Sequence, residues 1–395
     1  MNNDATPARL AAVQSAMAPF TRFVTDSFWR QSHGNPAAND FAFGNPNELP
    51  LAGFVSALRD SLMPDNTQWF AYKFSEPAAQ EAVAQSLRTR LGLPFERDDI
   101  ALTNGAYAAL AVTLSAIVDD GDEVIFITPP WFFYEALIVA HGGSPVRVPM
   151  NPVTFDLDLA AIGDAITPRT RAVIVNSPNN PTGKVYPRET LAALAALLDK
   201  ASARIGRTIA IVSDESYSRI VFDGRTYHSP AQCYPDTFVI YTYGKTLLTP
   251  GQRIGYIALP PAMPHRERLR RDLFTAQLIG GFAFPNALLQ HALPALETLS
   301  IDVANLQHKR DRLVAALRDI GYDVHVPEGT FYLLPAAPIP DDVAFCERLA
   351  QDGVFCLPGA VVELPGYFRI SLTATDEMID RALPGFSAAW QQPRA

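Results

Sequence analysis

Between about residues 78 and 260, short apolar runs rich in β-branched residues alternate with helical patterns, and this alternation constrains the fold most. "DDIALTNG" (98–105) ends a strand, and "AYAALAVTLSAIV" (106–118) has the texture of a helix. "EVIFITPP" (123–130) reads as a strand, followed by a helix through "FYEALIVAHGG". "PVRVPM", "AVIVNSP", "IAIVSDE" and "FVIYTYG" supply further strands, and "RIGYIAL" one more. Continuous β-branched runs separated by helices predict a mostly parallel sheet covered on both faces. Such sheets carry their ligands at the C-terminal ends of the strands, so residues just after strands are the ones to read for chemistry.

After about residue 290 the texture changes. "IDVANLQHKRDRLVAALRDIG" (301–321) carries apolar residues at helical spacing, and the short strands "DVHVP", "TFYLLP", "VFCLPG" and "YFRISL" follow. This predicts a separate α+β unit. A chain of 395 residues is too long for one compact core. The expectation is a large α/β domain over 45–290 and a smaller one built from 1–44 and 291–395.

Several function classes are disfavoured at once. A net charge of −9 argues against wholesale binding to nucleic acid or anionic lipid. No apolar run reaches the length of a membrane span, and "LAALAALL" (191–198), after the helix start "PRET", reads as a buried helix. The first residues, "MNNDATPARLAAVQ", lack the basic start and apolar core of a signal peptide. Cys233, Cys346 and Cys356 have neither redox-pair nor zinc spacing, so no metal is expected. A cytoplasmic location fits.

The polar residues that stand out all follow strands. Gly244-Lys245-Thr246 resembles the end of a phosphate-binding P-loop, but the glycine needed five positions earlier is Val239, inside a strand. That reading fails. "NSPNNPTG" (176–183) is explained singly by turn formers, Asp214 in "SDESY" by a helix cap, and Trp131 by ordinary packing. Arg253 follows Lys245 by eight residues. "TNGAYAAL" (103–110) is a strand–glycine–helix junction whose backbone N–H groups suit an anion.

In combination, over about Gly44 to Arg369 and most specifically over 176–255, the sequence resembles the class I aminotransferases of the fold type I pyridoxal-phosphate (PLP) enzymes. The resemblance implies that fold, PLP as cofactor, and ping-pong transfer of an amino group from an L-amino acid to a 2-oxo acid. Lys245 matches the lysine that forms the internal aldimine and then carries the proton. Asp214 matches the carboxylate facing the pyridine nitrogen, where a buried negative charge keeps that nitrogen protonated. Tyr217 and Asn180 match the groups on the ring's phenolic oxygen, and Trp131 the aromatic on the ring face. Arg253 matches the phosphate arginine, with the amides of Gly105, Ala106 and Tyr107 completing the cup and Thr242 adding a hydroxyl. Tyr72 aligns with a tyrosine reaching in from a partner subunit, so a homodimer is implied. Arg369 matches the grip on the substrate α-carboxylate, beside Gly44, although singly it reads as a surface ion pair. Trp131 and Asn180 also border the substrate.

The departures are specific. Gly244 stands where a serine is common, and Glu76 where a glycine is frequent. Tyr107 stands where some members acting on acidic substrates carry a basic residue, which tilts the expectation toward a neutral or aromatic substrate. Lys73 or the Arg270-Arg271 pair are other possible cations. Within the resemblance a PLP-dependent lyase or an oxygen-using oxidase or hydroxylase shares the same cofactor residues. A non-catalytic PLP-binding regulator is a further alternative, disfavoured because no basic helix-turn-helix pattern precedes residue 44.

Overall fold

The computed structural model describes residues 6–391 apart from 33, 36 and 284. A short strand, β1 (Asn39–Asp40), precedes seven that form one sheet: β2 (Ile100–Thr103), β3 (Glu123–Thr128), β4 (Ser144–Pro149), β5 (Thr170–Asn176), β6 (Ala210–Asp214), β7 (Thr237–Thr242) and β8 (Gly255–Ala258). Their order is β2-β8-β7-β6-β5-β3-β4. β8 is antiparallel to both its neighbours, and the other pairs run parallel. The sheet is therefore α/β and mostly parallel, as the alternating runs predict.

The continuous apolar runs follow from burial on both faces. Phe126, Ile174, Val212 and Ile240 pack on one side with the helix Gly105–Ile117. Ile125, Val173 and Ile211 pack on the other with the helix Arg188–Ile205. Period-2 alternation sends neighbours to opposite faces, so a strand covered twice needs an apolar residue at every step. The "LAALAALL" helix buries Leu191, Leu194, Ala195 and Leu198. These lie at i, i+3, i+4 and i+7, one stripe of a helix whose other side meets solvent.

Beyond the sheet come β9 (Tyr332–Leu333), β10 (Val354–Phe355), β11 (Leu357–Pro358) and β12 (Phe368–Ser371). β11, β12 and β9 form an antiparallel sheet in that order, while β10 pairs in parallel with β1. Their core joins Leu313 and Leu317 of the helix Val303–Ile320 to Phe345, Phe368, Ile370, Ile379 and Phe386, with Phe41 from the N-terminal segment. "VFCLPG" makes two strands because the chain changes sheets at Cys356. "DVHVP" makes none. Val324 forms only an isolated bridge to Pro335, which has no N–H to extend a ladder, and the Val324 carbonyl is taken by Arg318 at 2.7 Å.

The N-terminal helices touch both units. The helix Ala8–Ala16 lies against Tyr134–Ala140, with Arg9 bonded to Asp120 at 2.8 Å, while Phe23 of the helix Ala18–Asp26 packs on Leu357 and Val362. The helix Ala287–Leu296 packs on the helices Ala52–Ser61 and Pro77–Leu91. The division of 45–290 from 1–44 with 291–395 stands as a proposal, the helix Ala287–Leu296 running across its second join. For the site, the consequence is that β5, β6 and β7 deliver Asn176, Asp214 and Thr242 to one edge, Asn176 being in register with Asp214.

Candidate active site

At that edge lies a cavity of about 100 Å³. Ala106, Tyr107, Trp131, Asn180, Asp214, Tyr217, Thr242, Lys245 and Arg253 all line it. Residues far apart in sequence meet there because parallel strands of similar length end together. A larger cavity of about 400 Å³, between Arg22, Phe23, Trp29, Cys346 and Glu347, brings no comparable chemical set together.

Asp214 closes β6 and is 5% exposed. It is no helix cap. One oxygen accepts from the Tyr134 hydroxyl at 2.6 Å, and the other from the Ser216 hydroxyl at 2.6 Å and its amide at 3.1 Å. Burial and the neighbouring carboxylate push the Tyr134 hydroxyl well above its ordinary range, so it remains a donor. Tyr134 and Ser216 were not singled out by the sequence reading. Tyr134 sits in "WFFY", where nothing in the spacing tells which ring reaches the sheet edge.

Lys245 occupies the helical turn Tyr243–Thr246 directly after β7. Its Nζ lies 5.6 Å from the Tyr217 ring centre and 5.7 Å from that of Phe331. Among the described residues no carboxylate forms an ion pair with it. The glycine before it has a steric reason: a Cβ on Gly244 would stand 3.0 Å from the Pro250 Cα and 3.4 Å from the Thr249 carbonyl oxygen.

Arg253 and the helix Gly105–Ile117 form an anion cup. Gly105 has φ +82°, and a Cβ there would come within 2.8 Å of the Arg253 Nη2, so both backbone and space call for glycine. The first amides of that helix have no intrahelical acceptors and sit at its positive end. Arg253 donates to the Pro250 carbonyl at 2.7 Å and has no carboxylate partner among the described residues; burial lowers its proton affinity. The Thr242 hydroxyl faces the same cup while donating to the Ile254 carbonyl at 3.3 Å.

Arg369, on β12, is 1% exposed and makes no surface ion pair. Its Nη1 donates to the Asn180 Oδ1 at 2.9 Å and its Nη2 to the Ala42 carbonyl at 3.0 Å, and its buried Nε has no partner. Asn180 is held in turn, its amide donating to the Asn176 Oδ1 at 2.8 Å. Beside them, Gly44 leaves no room for a side chain: a Cβ would sit 2.4 Å from Phe331 and 2.7 Å from the Tyr332 hydroxyl. Tyr332, buried against Arg369, also escaped the sequence reading. Tyr72 does not join the cavity in this chain, being 85% exposed.

The family pattern described as "Aminotransferase class I and II" matches residues 37–386. The chain belongs to this family. It is an aminotransferase, and the family works with PLP. The probable aspartate/prephenate aminotransferase of Thermus aquaticus is 34% identical over 361 residues, covering 88% of this chain and 89% of that one. The crystal structure of an aminotransferase from Eubacterium rectale superposes with a TM-score of 0.86 at 30% identity, over 98% of this chain and 96% of that one. A Thermus thermophilus aspartate aminotransferase mutant complexed with tryptophan gives 0.83 at 28% identity, over 98% and 99%. The fold type I architecture implied by the resemblance is thereby shown. The lyase, oxidase and regulator alternatives gain no support from these likenesses. Among the described residues no helix is long and apolar enough to cross a membrane, and no group of side chains is suited to a metal ion.

Proposed function

We propose that this aminotransferase holds PLP in the cavity around Lys245 and moves the amino group of a neutral or aromatic L-amino acid to a 2-oxo acid. The observation that carries the reading is a pair of arginines, Arg253 lining the cavity and Arg369 bonded to its wall at Asn180, neither paired with a carboxylate among the described residues. One suits a phosphate and the other an α-carboxylate. Between them Lys245 supplies an amine and Asp214 a buried carboxylate. When bound, PLP supplies an aldehyde for the amine and an electron-poor ring that accepts the pair left by the breaking Cα–H bond.

The chain's own groups then have distinct work. Arg253 and the amides of Gly105, Ala106 and Tyr107 bind phosphate, with Thr242 beside them. Asp214, kept in place by Tyr134 and Ser216, holds a proton on the pyridine nitrogen. Trp131 would cover the ring, and Tyr217 and Asn180 would donate to its phenolic oxygen. Arg369, next to Gly44, would orient the substrate so that its Cα hydrogen faces Lys245, whose amine would take that proton and return it to the carbon of the cofactor's aldehyde, on the far side of the shared nitrogen.

An aromatic wall supports the substrate preference. Tyr107 lies 5.3 Å from Trp131 and 5.4 Å from Phe133, while Phe20 of the N-terminal helix stacks on Phe132 at 4.8 Å. Two of the cations that could have served an acidic side chain are engaged, Lys73 by Glu76 at 2.7 Å and Arg270 by Asp99 at 2.6 Å. The mutant relative bound to tryptophan supports room for an indole on this scaffold. A homodimer in which Tyr72 reaches the partner's phosphate site is part of the same proposal. The apolar side chains Leu62, Met63, Phe70, Phe74, Phe274 and Ile279 are exposed, and Phe74 meets Phe274 at 4.9 Å, a surface suited to a second copy.

Absorbance tests the core of this proposal. Purified protein mixed with PLP should gain a near-ultraviolet or visible band that Lys245→Ala loses; a protein that takes up no PLP overturns it. Single-turnover rates with phenylalanine, leucine and aspartate then test specificity, with aspartate expected slower by about 10-fold or more. Faster aspartate would reject the neutral preference and leave transamination standing. A solution mass of one chain would reject the dimer.

A further inference from the structure

The register of the small sheet makes a contact that no single motif announces. Ser371 of β12 pairs with Tyr332 of β9, so Arg369 lies two residues along on the same face, diagonal to Tyr332. Diagonal neighbours are within reach when one is aromatic and the other long. The guanidinium carbon of Arg369 sits 4.0 Å from the Tyr332 ring centre, inside the range of a cation–π contact. The far end of that ring is fixed as well. Its hydroxyl lies at the Gly44 backbone, where a Cβ would stand 2.7 Å away, and Gly44 N–H faces it. The Tyr217 ring centre lies 6.1 Å from that of Tyr332, and the Tyr217 hydroxyl acts electrostatically on the same oxygen.

We propose that Tyr332 is a positioning residue that couples the carboxylate grip of Arg369 to the Tyr217 and Lys245 side of the cavity. This rests on the reading above, in which Arg369 receives the substrate carboxylate and Tyr217 serves the cofactor ring. The ring of Tyr332 holds the guanidinium flat. Its hydroxyl lies between the two binding elements and offers a second link beside the bond from Arg369 to the Asn180 side chain.

The charges around Tyr332 state what travels along that link. Arg369 faces it from β12, Lys245 from the turn after β7, and Tyr217 from the loop after β6, with Asp214 beyond Tyr217. Burial raises the Tyr332 hydroxyl, but Arg369, Lys245, the Tyr217 hydroxyl and the Gly44 N–H together hold it below its ordinary value. The Tyr217 hydroxyl is pushed the other way, by burial first and then by Tyr332. A carboxylate arriving at Arg369 neutralises the nearer cation. Tyr332 then holds its own proton more tightly, and its more basic oxygen becomes a stronger acceptor for the Tyr217 hydroxyl, which changes how far that hydroxyl serves the ring of the cofactor.

The test uses 3-phenylpropionate, a carboxylate with no amino group to react, on the PLP-loaded protein. The pH titration of the absorption band is recorded with and without it, for wild type, Tyr332→Phe and Tyr332→Leu. In wild type the carboxylate should shift the midpoint. Tyr332→Phe keeps the ring, so it should bind 3-phenylpropionate within about 3-fold of wild type yet lose at least half of that shift. Tyr332→Leu removes the ring and should weaken binding by about 10-fold. An unchanged shift in Tyr332→Phe, a wild-type midpoint that ignores the carboxylate, or wild-type affinity in Tyr332→Leu overturns the proposal. Calorimetric binding of 3-phenylpropionate to cofactor-free protein separates the two claims. If wild type forms no PLP band, the functional reading falls; the 10-fold loss in Tyr332→Leu still decides the Arg369 contact.

Discussion

Two arginines with little solvent exposure, one partly and one fully buried, are treated in opposite ways. Arg219, in the turn after β6, pairs with the Glu297 carboxylate and is flanked by the Tyr241 ring at 4.5 Å and the Tyr243 ring at 5.5 Å. Arg369, at the cavity wall, has an amide oxygen, a carbonyl and a ring, but no carboxylate. Both leave Nε without a partner, so the difference lies in the counter-charge. Burial lowers the proton affinity of each. Around Arg219, Tyr241, Glu297 and Tyr243 reverse that and raise it, whereas around Arg369 Tyr332 and Tyr217 do not, and it stays lowered. A structural arginine brings its own acid, and one meant for a ligand is left short of negative charge.

The comparison can be broken most sharply at Arg219. Replacing it by Met strands the buried Glu297 carboxylate and should cost about 3–5 kcal/mol in urea unfolding. A loss under 1 kcal/mol would show that the pair is not what holds this block. Arg369→Gln should do the reverse, leaving stability nearly unchanged while kcat/KM for both amino acid and oxo acid falls about 100-fold, near 2.7 kcal/mol. Equal loss of stability in both variants would erase the distinction.

Smaller effects sharpen it. Arg310 belongs with Arg219, since Asp223 meets it through both oxygens at 2.7 Å. The hydrogen bond from Arg310 holds the Asp223 carboxyl below the usual range. A depressed carboxylate stabilises the fold above its unfolded value near 4 and loses that contribution as pH falls through the lower folded value. Asp223→Asn should therefore flatten the acid limb of the stability profile and cost at most about 1 kcal/mol at neutral pH, the carboxylate being partly exposed. An unchanged limb would remove Arg310 from the saturated class. Gly244→Ser should cost about 1 kcal/mol through crowding against Pro250. A serine accepted without loss of melting temperature would show that the glycine is not required by space.

Much of the cavity was legible because its residues sit where a parallel sheet must present them. Lys245, Asp214 and Asn180 each follow an apolar run, and strand ends can be read from the sequence even when strand order cannot. Tyr134 and Tyr332 were not legible for the same reason in reverse. Each is one aromatic among several, and its role depends on which way a ring points once strands and helices are packed. "DVHVP" misled because an alternating apolar pattern promises a strand but does not provide a partner with free N–H groups.

The sequence by itself determined the alternation that builds the sheet, the membership of the family and the residues at the strand ends, since these are local patterns carried in consecutive positions. The tertiary structure alone decided that Arg369 is buried without an acid, that Tyr332 lies across it, and that Gly44, Gly105 and Gly244 are glycines for want of space. Those facts depend on register and on contacts between segments far apart in the chain, where a few ångströms separate a saturated arginine from one that can take a ligand.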